Sequence, residues 1–200
     1  MELKDTARAV AFLAKMTLHR SLVVQLLERG LLDPNKMRRL LDSSSPREVT
    51  LDILMIISDL ARMDKIGNAA NHCDMFYEEL RKCIPLLSAE EDDKSKANSC
   101  GALSNLVRNS NKLSQHIVSK GAMQLVSDCC LNPPTRRDAI DESPLKIALF
   151  SLAKMCAHSP CTQFLRSSEL YPVIGQLRQS SESTIASCAS IIFNRTSSQP

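Results

Sequence analysis

The sequence has no tryptophan, two tyrosines, five phenylalanines and only five glycines in 200 residues. With Leu, Ala and Ser dominating the apolar and small positions, that scarcity argues against a sheet sandwich and for packed helices. No uninterrupted apolar run approaches the ~20 residues of a membrane span. The N-terminus, MELKDTARAV, holds no apolar signal-peptide core. These two absences predict a cytoplasmic chain without membrane contact, in which the eight cysteines stay reduced and behave as small buried hydrophobes. A large excess of one charge is also missing. The 25 Lys and Arg against 22 Asp and Glu leave a net charge of +3, which does not suggest an electrostatic hold on nucleic acid.

Patterns that carry chemistry are absent too. There is no Gly-rich GxGxxG, no VAIK-like lysine, no HRD-type catalytic loop and no DFG. His19-Arg20 is followed by Ser21, without an Asn at the spacing a catalytic loop needs. Phosphoryl transfer requires those parts to hold ATP and magnesium and to position the hydroxyl, so this chain is expected to phosphorylate nothing. His19, His72, His116 and His158 share no motif, and no strand-turn-helix elbow presents a nucleophile. Cys156, His158 and Cys161 bring soft ligands close, with Cys129-Cys130 and His72-Cys73 besides. The paired CxxC or HxxxH spacings of structural zinc do not occur. The expectation is therefore no catalytic residue, no metal, no cofactor and no small-molecule substrate. Lys36, Arg38, Arg39 and Arg47, and the doublet Arg136-Arg137, read as solvated loop charge, with an acidic partner segment as the functional alternative.

What the chain does contain is a repeat. Short tetrads begin at Leu13 (LAKM), Ile57 (ISDL), Ile66 (IGNA), Leu103 (LSNL) and Leu152 (LAKM). Three residues before each anchor stand Val10, Leu54, Met63, Cys100 and Leu149; three after it stand Met16, Leu60, Ala69, Leu106 and Met155. That i, i+3, i+6 spacing is one apolar stripe on a helix. The residue after each anchor is small (Ala14, Ser58, Gly67, Ser104, Ala153) and would let a neighbouring helix come close. The next position is polar in every copy: Lys15, Asp59, Asn68, Asn105 and Lys154. These five are the candidate partner-binding residues, lined up along one surface. Their mixed charge and the lack of tryptophan also fit a solvated face that merely follows the repeat.

Anchor spacings of 44, 37 and 49 residues suit an all-α armadillo/HEAT-like right-handed α-solenoid filling residues 1–200. The polar insert NPPTRRDAIDESP stretches the last spacing. Second apolar segments follow at 21–30, 111–121 and 160–170, with Gly30 and Gly121 as helix stops and Ser45-Pro46-Arg47-Glu48 as a capping box. A spacing of nine, between Ile57 and Ile66, does not fit. It implies segments 1–65 and 66–200 joined where repeat material is missing, with mismatched faces left in contact.

The segments DTARAVAFLAKMTLHR, PREVTLDILMIISDLARMDK, FYEELRKCIPLL, KANSCGALSNLVRNSNKLSQHIVSKGAMQ and ESPLKIALFSLAKMCAHSPCTQFLRSSELYPVIGQLRQS closely resemble the C-terminal armadillo-repeat region of plant Fused-family serine/threonine kinases. The resemblance implies a non-catalytic scaffold. Its partners would be proteins, notably kinesin-like motors, in phragmoplast-based cytokinesis, with a location in the cytoplasm at the cytoskeleton. Two other readings stay open: a substrate-docking part of an active kinase encoded upstream, and a generic armadillo adaptor. Packing accounts for Leu103, Ser104 and Leu106 but is not expected to need Asn105.

Overall fold

The computed structural model describes residues 3–31, 33, 35, 46–63, 93–108, 111–131 and 144–198. Ten helices and no strands occur among the described residues. They are α1 (Leu3–Met16), α2 (Arg20–Glu28), α3 (Arg47–Met63), α4 (Asp93–Val107), α5 (Asn111–Ser119), α6 (Ala122–Leu131), α7 (Pro144–Met155), α8 (Ser159–Arg166), α9 (Leu170–Leu177) and α10 (Ser183–Ser197). No single one of them is long and apolar enough to cross a membrane.

The anchor stripes become the core. Leu54, Ile57 and Leu60 on α3, Cys100, Leu103 and Leu106 on α4, and Leu149, Leu152 and Met155 on α7 are all buried. Packing these stripes side by side sets α1, α3, α4, α7 and α10 next to one another in that order, as one layer. Behind it, α5 packs on α8 and α6 on α9, while α8 and α9 also close against α10. The units α4–α5–α6 and α7–α8–α9 are thus successive three-helix repeats, and α10 begins a third.

Local chemistry explains where the helices stop. Gly30 has φ +69°, and its N–H and that of Leu31 bond the carbonyls of Leu27 and Leu26. This pair of bonds closes α2 in a turn whose left-handed residue favours glycine. Gly121, φ +77°, separates α5 from α6 in the same conformation. At the start of α10 the Glu182 carboxylate accepts from the N–H groups of Thr184 and Ile185, which satisfies two donors that the helix itself cannot.

Helix α3 packs directly against α4, so the layer steps from the anchor at 57 to the anchor at 103, one repeat length along the chain. Ile53, Ile57, Leu60, Leu103 and Leu106, each at most 2% exposed, form an apolar seam between these two helices. On α4, Asn98 Nδ2 and Ser99 Oγ are buried with no hydrogen-bond partner among the described residues. Ile66, the Lys65/Ile66 junction, the cap Ser45, the basic positions 36–39 and 136–137, and the insert at 132–143 lie outside the described residues.

Candidate functional site

The polar column beside the anchors is a chain of cross-helix ties, one at each joint of the layer. From α1 to α3, the Thr17 hydroxyl donates to Asp59 Oδ2 at 3.2 Å. From α3 to α4, Asn105 Nδ2 donates to the Ser58 carbonyl at 3.1 Å and to Ser58 Oγ at 2.8 Å. From α4 to α7, Lys154 Nζ donates to Asn105 Oδ1 at 2.8 Å. From α7 to α10, Arg195 Nη1 donates to the Ala153 carbonyl at 2.6 Å. The small residue after each anchor is what allows this. Ser58 and Ala153 leave their carbonyls within reach of a side chain on the next helix.

A second row runs parallel to the first, one turn further on. Arg108 Nη1 donates to the Arg62 carbonyl at 3.2 Å, and His158 Nε2 stands 3.2 Å from the Arg108 carbonyl. Both carbonyls belong to a layer helix's last turn or the residue just after it, where backbone acceptors lack helical donors and the dipole favours positive charge. The rows together crowd cations onto one face: Arg62, Arg108, Lys154 and Arg195. Of these, Arg62 has a carboxylate partner, Asp59 at 3.3 Å. Burial raises the pKa of Asp59, against the opposing pull of the Thr17 hydrogen bond and Arg62.

Lys154 titrates unusually. Desolvation first, then Arg108 and Arg62, push it down to about 8, although its ammonium sits 4.4 Å from the centre of the Phe150 ring. The unfolded chain, with an ordinary lysine, binds more protons than the folded one above about pH 8. Stability attributable to this residue is therefore flat below that pH and rises between about 8 and 10.5. Comparing the thermal midpoint of the wild type with that of Lys154→Met across this range checks the sign: the wild type gains on the variant as pH rises. A constant difference would show that the residue does not titrate there.

The sequence-predicted residues are placed unequally. Asn105, Asp59 and Lys154 join the ties just described; Lys15 is exposed on α1; Asn68 lies outside the described residues. The expectation for Asn105 is corrected. It is 6% exposed and bridges three helices, so packing does need it: its amide donates to Ser58 through Nδ2 and accepts from Lys154 through Oδ1. Arg62, Arg108, Arg195, Phe150 and Ile191 were missed. Arg62 and Arg108 each stand five residues after an anchor, a coincidence that could have revealed them. Arg195 was hidden because Phe193 occupies the small position after Ile192, which disguises α10 as a copy of the repeat.

The buried cysteines among the described residues offer no reactive thiolate. Cys100, Cys130, Cys156, Cys161 and Cys188 are buried free thiols, and burial pushes Cys161 up to about 12 and raises Cys130 and Cys156 as well. His158 is turned to the Arg108 carbonyl, and no group of three His, Cys, Asp or Glu among the described residues could hold a metal ion.

No family model matches the sequence. The serine/threonine-protein kinase TIO of Arabidopsis thaliana is 44% identical over an alignment of 286 residues, which covers all of this chain and 22% of the kinase. A designed armadillo repeat protein superposes with a TM-score of 0.73 at 19% identity, over 95% of this chain and 75% of its own. The armadillo-repeats-only protein of Plasmodium falciparum gives 0.72 at 15% identity, over 95% and 79%. The chain is an armadillo array related to a Fused-family kinase. A further designed armadillo protein, in complex with the peptide (KR)4, has a TM-score of 0.69 at 18% identity, over 95% of this chain and 74% of its own.

Proposed function

We propose that the array is a protein-binding scaffold of the Fused-kinase type, catalytically empty in itself, that receives partners along the layer α1–α3–α4–α7–α10. The observation that carries this reading is the face itself. Arg108, Lys154 and Arg195 stand together there without a carboxylate partner among the described residues, beside the exposed side chains of Phe150 and Ile191. A face that served packing alone would have no use for this combination. That a designed armadillo protein of similar fold is found in complex with the peptide (KR)4 supports peptide binding on such a fold. The relationship to the Arabidopsis kinase supports a kinesin-like motor as partner, in phragmoplast-based cytokinesis, with a place in the cytoplasm at the cytoskeleton. The alignment is longer than this chain, which agrees with an array shortened by loss of repeat material.

The test is recovery from extracts of dividing plant cells on the immobilised chain. A variant with Arg108→Glu and Arg195→Glu serves as the control. The wild type should retain a kinesin-like motor that the variant does not. Equal recovery by both proteins, or no motor or cytoskeletal protein at all, would refute the scaffold reading.

A further inference from the structure

Between α7 and α10 the layer opens into a groove of about 530 Å³, lined among others by Phe150, Lys154, Ser187, Ile191 and Arg195. Its two kinds of surface are separate. Phe150 and Ile191 are large apolar side chains 51% and 40% exposed. Lys154 and Arg195 are cations whose hydrogen bonds go to an amide oxygen and a backbone carbonyl, and Arg108 on the neighbouring helix uses a backbone carbonyl likewise. Among the described residues, two nearby carboxylates are engaged elsewhere. Glu182, next to the groove-lining Ser183, caps α10 and pairs with Lys146 at 3.3 Å, and Asp59 pairs with Arg62.

Resting on the scaffold reading, we infer that this groove docks an acidic segment of a partner protein that also carries an apolar side chain. The carboxylates of that segment would meet Arg195, Lys154 and Arg108, and its apolar side chain would lie on Phe150 and Ile191. Charge complementarity selects the occupant. A basic peptide such as the one held by the designed relative of this fold would face three uncompensated cations, and like charges brought together across an interface are strongly disfavoured. The pKa of Lys154 is lowered by desolvation first and then by Arg108 and Arg62; an incoming carboxylate would relieve the repulsion from those two guanidiniums. Nucleic acid fits less well, because Phe150 alone offers a ring for stacking and the cations do not continue as a phosphate-tracking row.

Fluorescence anisotropy on the full 200-residue chain tests this with four labelled probes: a short Glu-rich peptide containing two leucines, an all-Glu peptide, (Lys-Arg)4 and a short oligothymidine. The Glu/Leu peptide should bind most tightly and weaken as salt rises from about 50 to about 300 mM. Arg195→Glu, and independently Ser187→Glu, should each lower its affinity about tenfold. Phe150→Ser should weaken the Glu/Leu peptide while leaving the all-Glu peptide unchanged. Ser187 and Phe150 are exposed at the groove, so Ser187→Glu and Phe150→Ser should keep the wild-type thermal midpoint; Arg195→Glu also gives up its bond to the Ala153 carbonyl, which is why Ser187→Glu repeats the charge test without it. Tightest binding of (Lys-Arg)4 or of oligothymidine, or indifference of the Glu/Leu peptide to both charge reversals, would overturn the acidic-partner inference. The scaffold reading would survive those results provided the motor is still recovered by the wild type alone, and it falls separately if no partner is recovered.

Discussion

Replacing Asn105 by alanine should lower the stability of the array by about 2–3 kcal/mol, read as a shift in the guanidinium chloride midpoint. The side chain is nearly fully buried and makes hydrogen bonds to Ser58 Oγ, the Ser58 carbonyl and Lys154 Nζ. Each such bond is worth about 1 kcal/mol net, and the bond to an ammonium somewhat more. Alanine also strips Lys154 of its side-chain acceptor among the described residues and leaves a partly desolvated charge behind, which is the costlier half of the change. Asparagine to leucine should be no better, since shape does not restore the acceptor. A double-mutant cycle with Ser58→Ala isolates the α3–α4 tie and should give a coupling of about 0.5–1.5 kcal/mol. A loss below about 0.5 kcal/mol in the single variant would mean that Asn105 is a solvated surface residue, as its polar column first suggests.

That contrast shows what the sequence made legible. The apolar stripes were readable because burial on one helical face imposes a spacing that survives any change of side chain, and Val10, Leu54, Leu60, Leu106 and Met155 all fall on it. The stops at Gly30 and Gly121 were readable because a positive φ narrows the choice of residue. The column after the small position was readable as polar, but its role was not. A polar side chain facing solvent and one bridging two helices look alike in sequence, and only the approach of the neighbouring helix separates Lys15 from Asn105. Helices α6, α9 and α10 escaped notice for a related reason. They are bounded by short turns and held by packing, without an anchor tetrad of the recognised form. The groove is assembled from Phe150 and Lys154 on α7 and from Ile191 and Arg195 on α10, some forty residues apart in the chain, so no local pattern could announce it.

Leu103→Ala should cost about 2–5 kcal/mol, the range for truncating a fully buried leucine that leaves a cavity. Its place in the array sharpens the expectation. Leu103 is 0% exposed on α4, and α4 has a layer neighbour on each side, α3 and α7, so a void there loosens two interfaces together. Leu13 is the equivalent anchor on α1 but is only half-buried, and among the described residues α1 has a single layer neighbour, α3. Leu13→Ala should therefore cost only about 1 kcal/mol. In a stacked array, stability is close to a sum of each repeat's own stability and its contacts with the next. The central substitution should accordingly broaden the denaturation transition, uncoupling α1–α3 from α7–α10, whereas the terminal one should shift the midpoint slightly and keep the slope. Equal losses at the two positions would show that the array unfolds as one cooperative block, with the α3–α4 seam no weaker than the joints on either side of it.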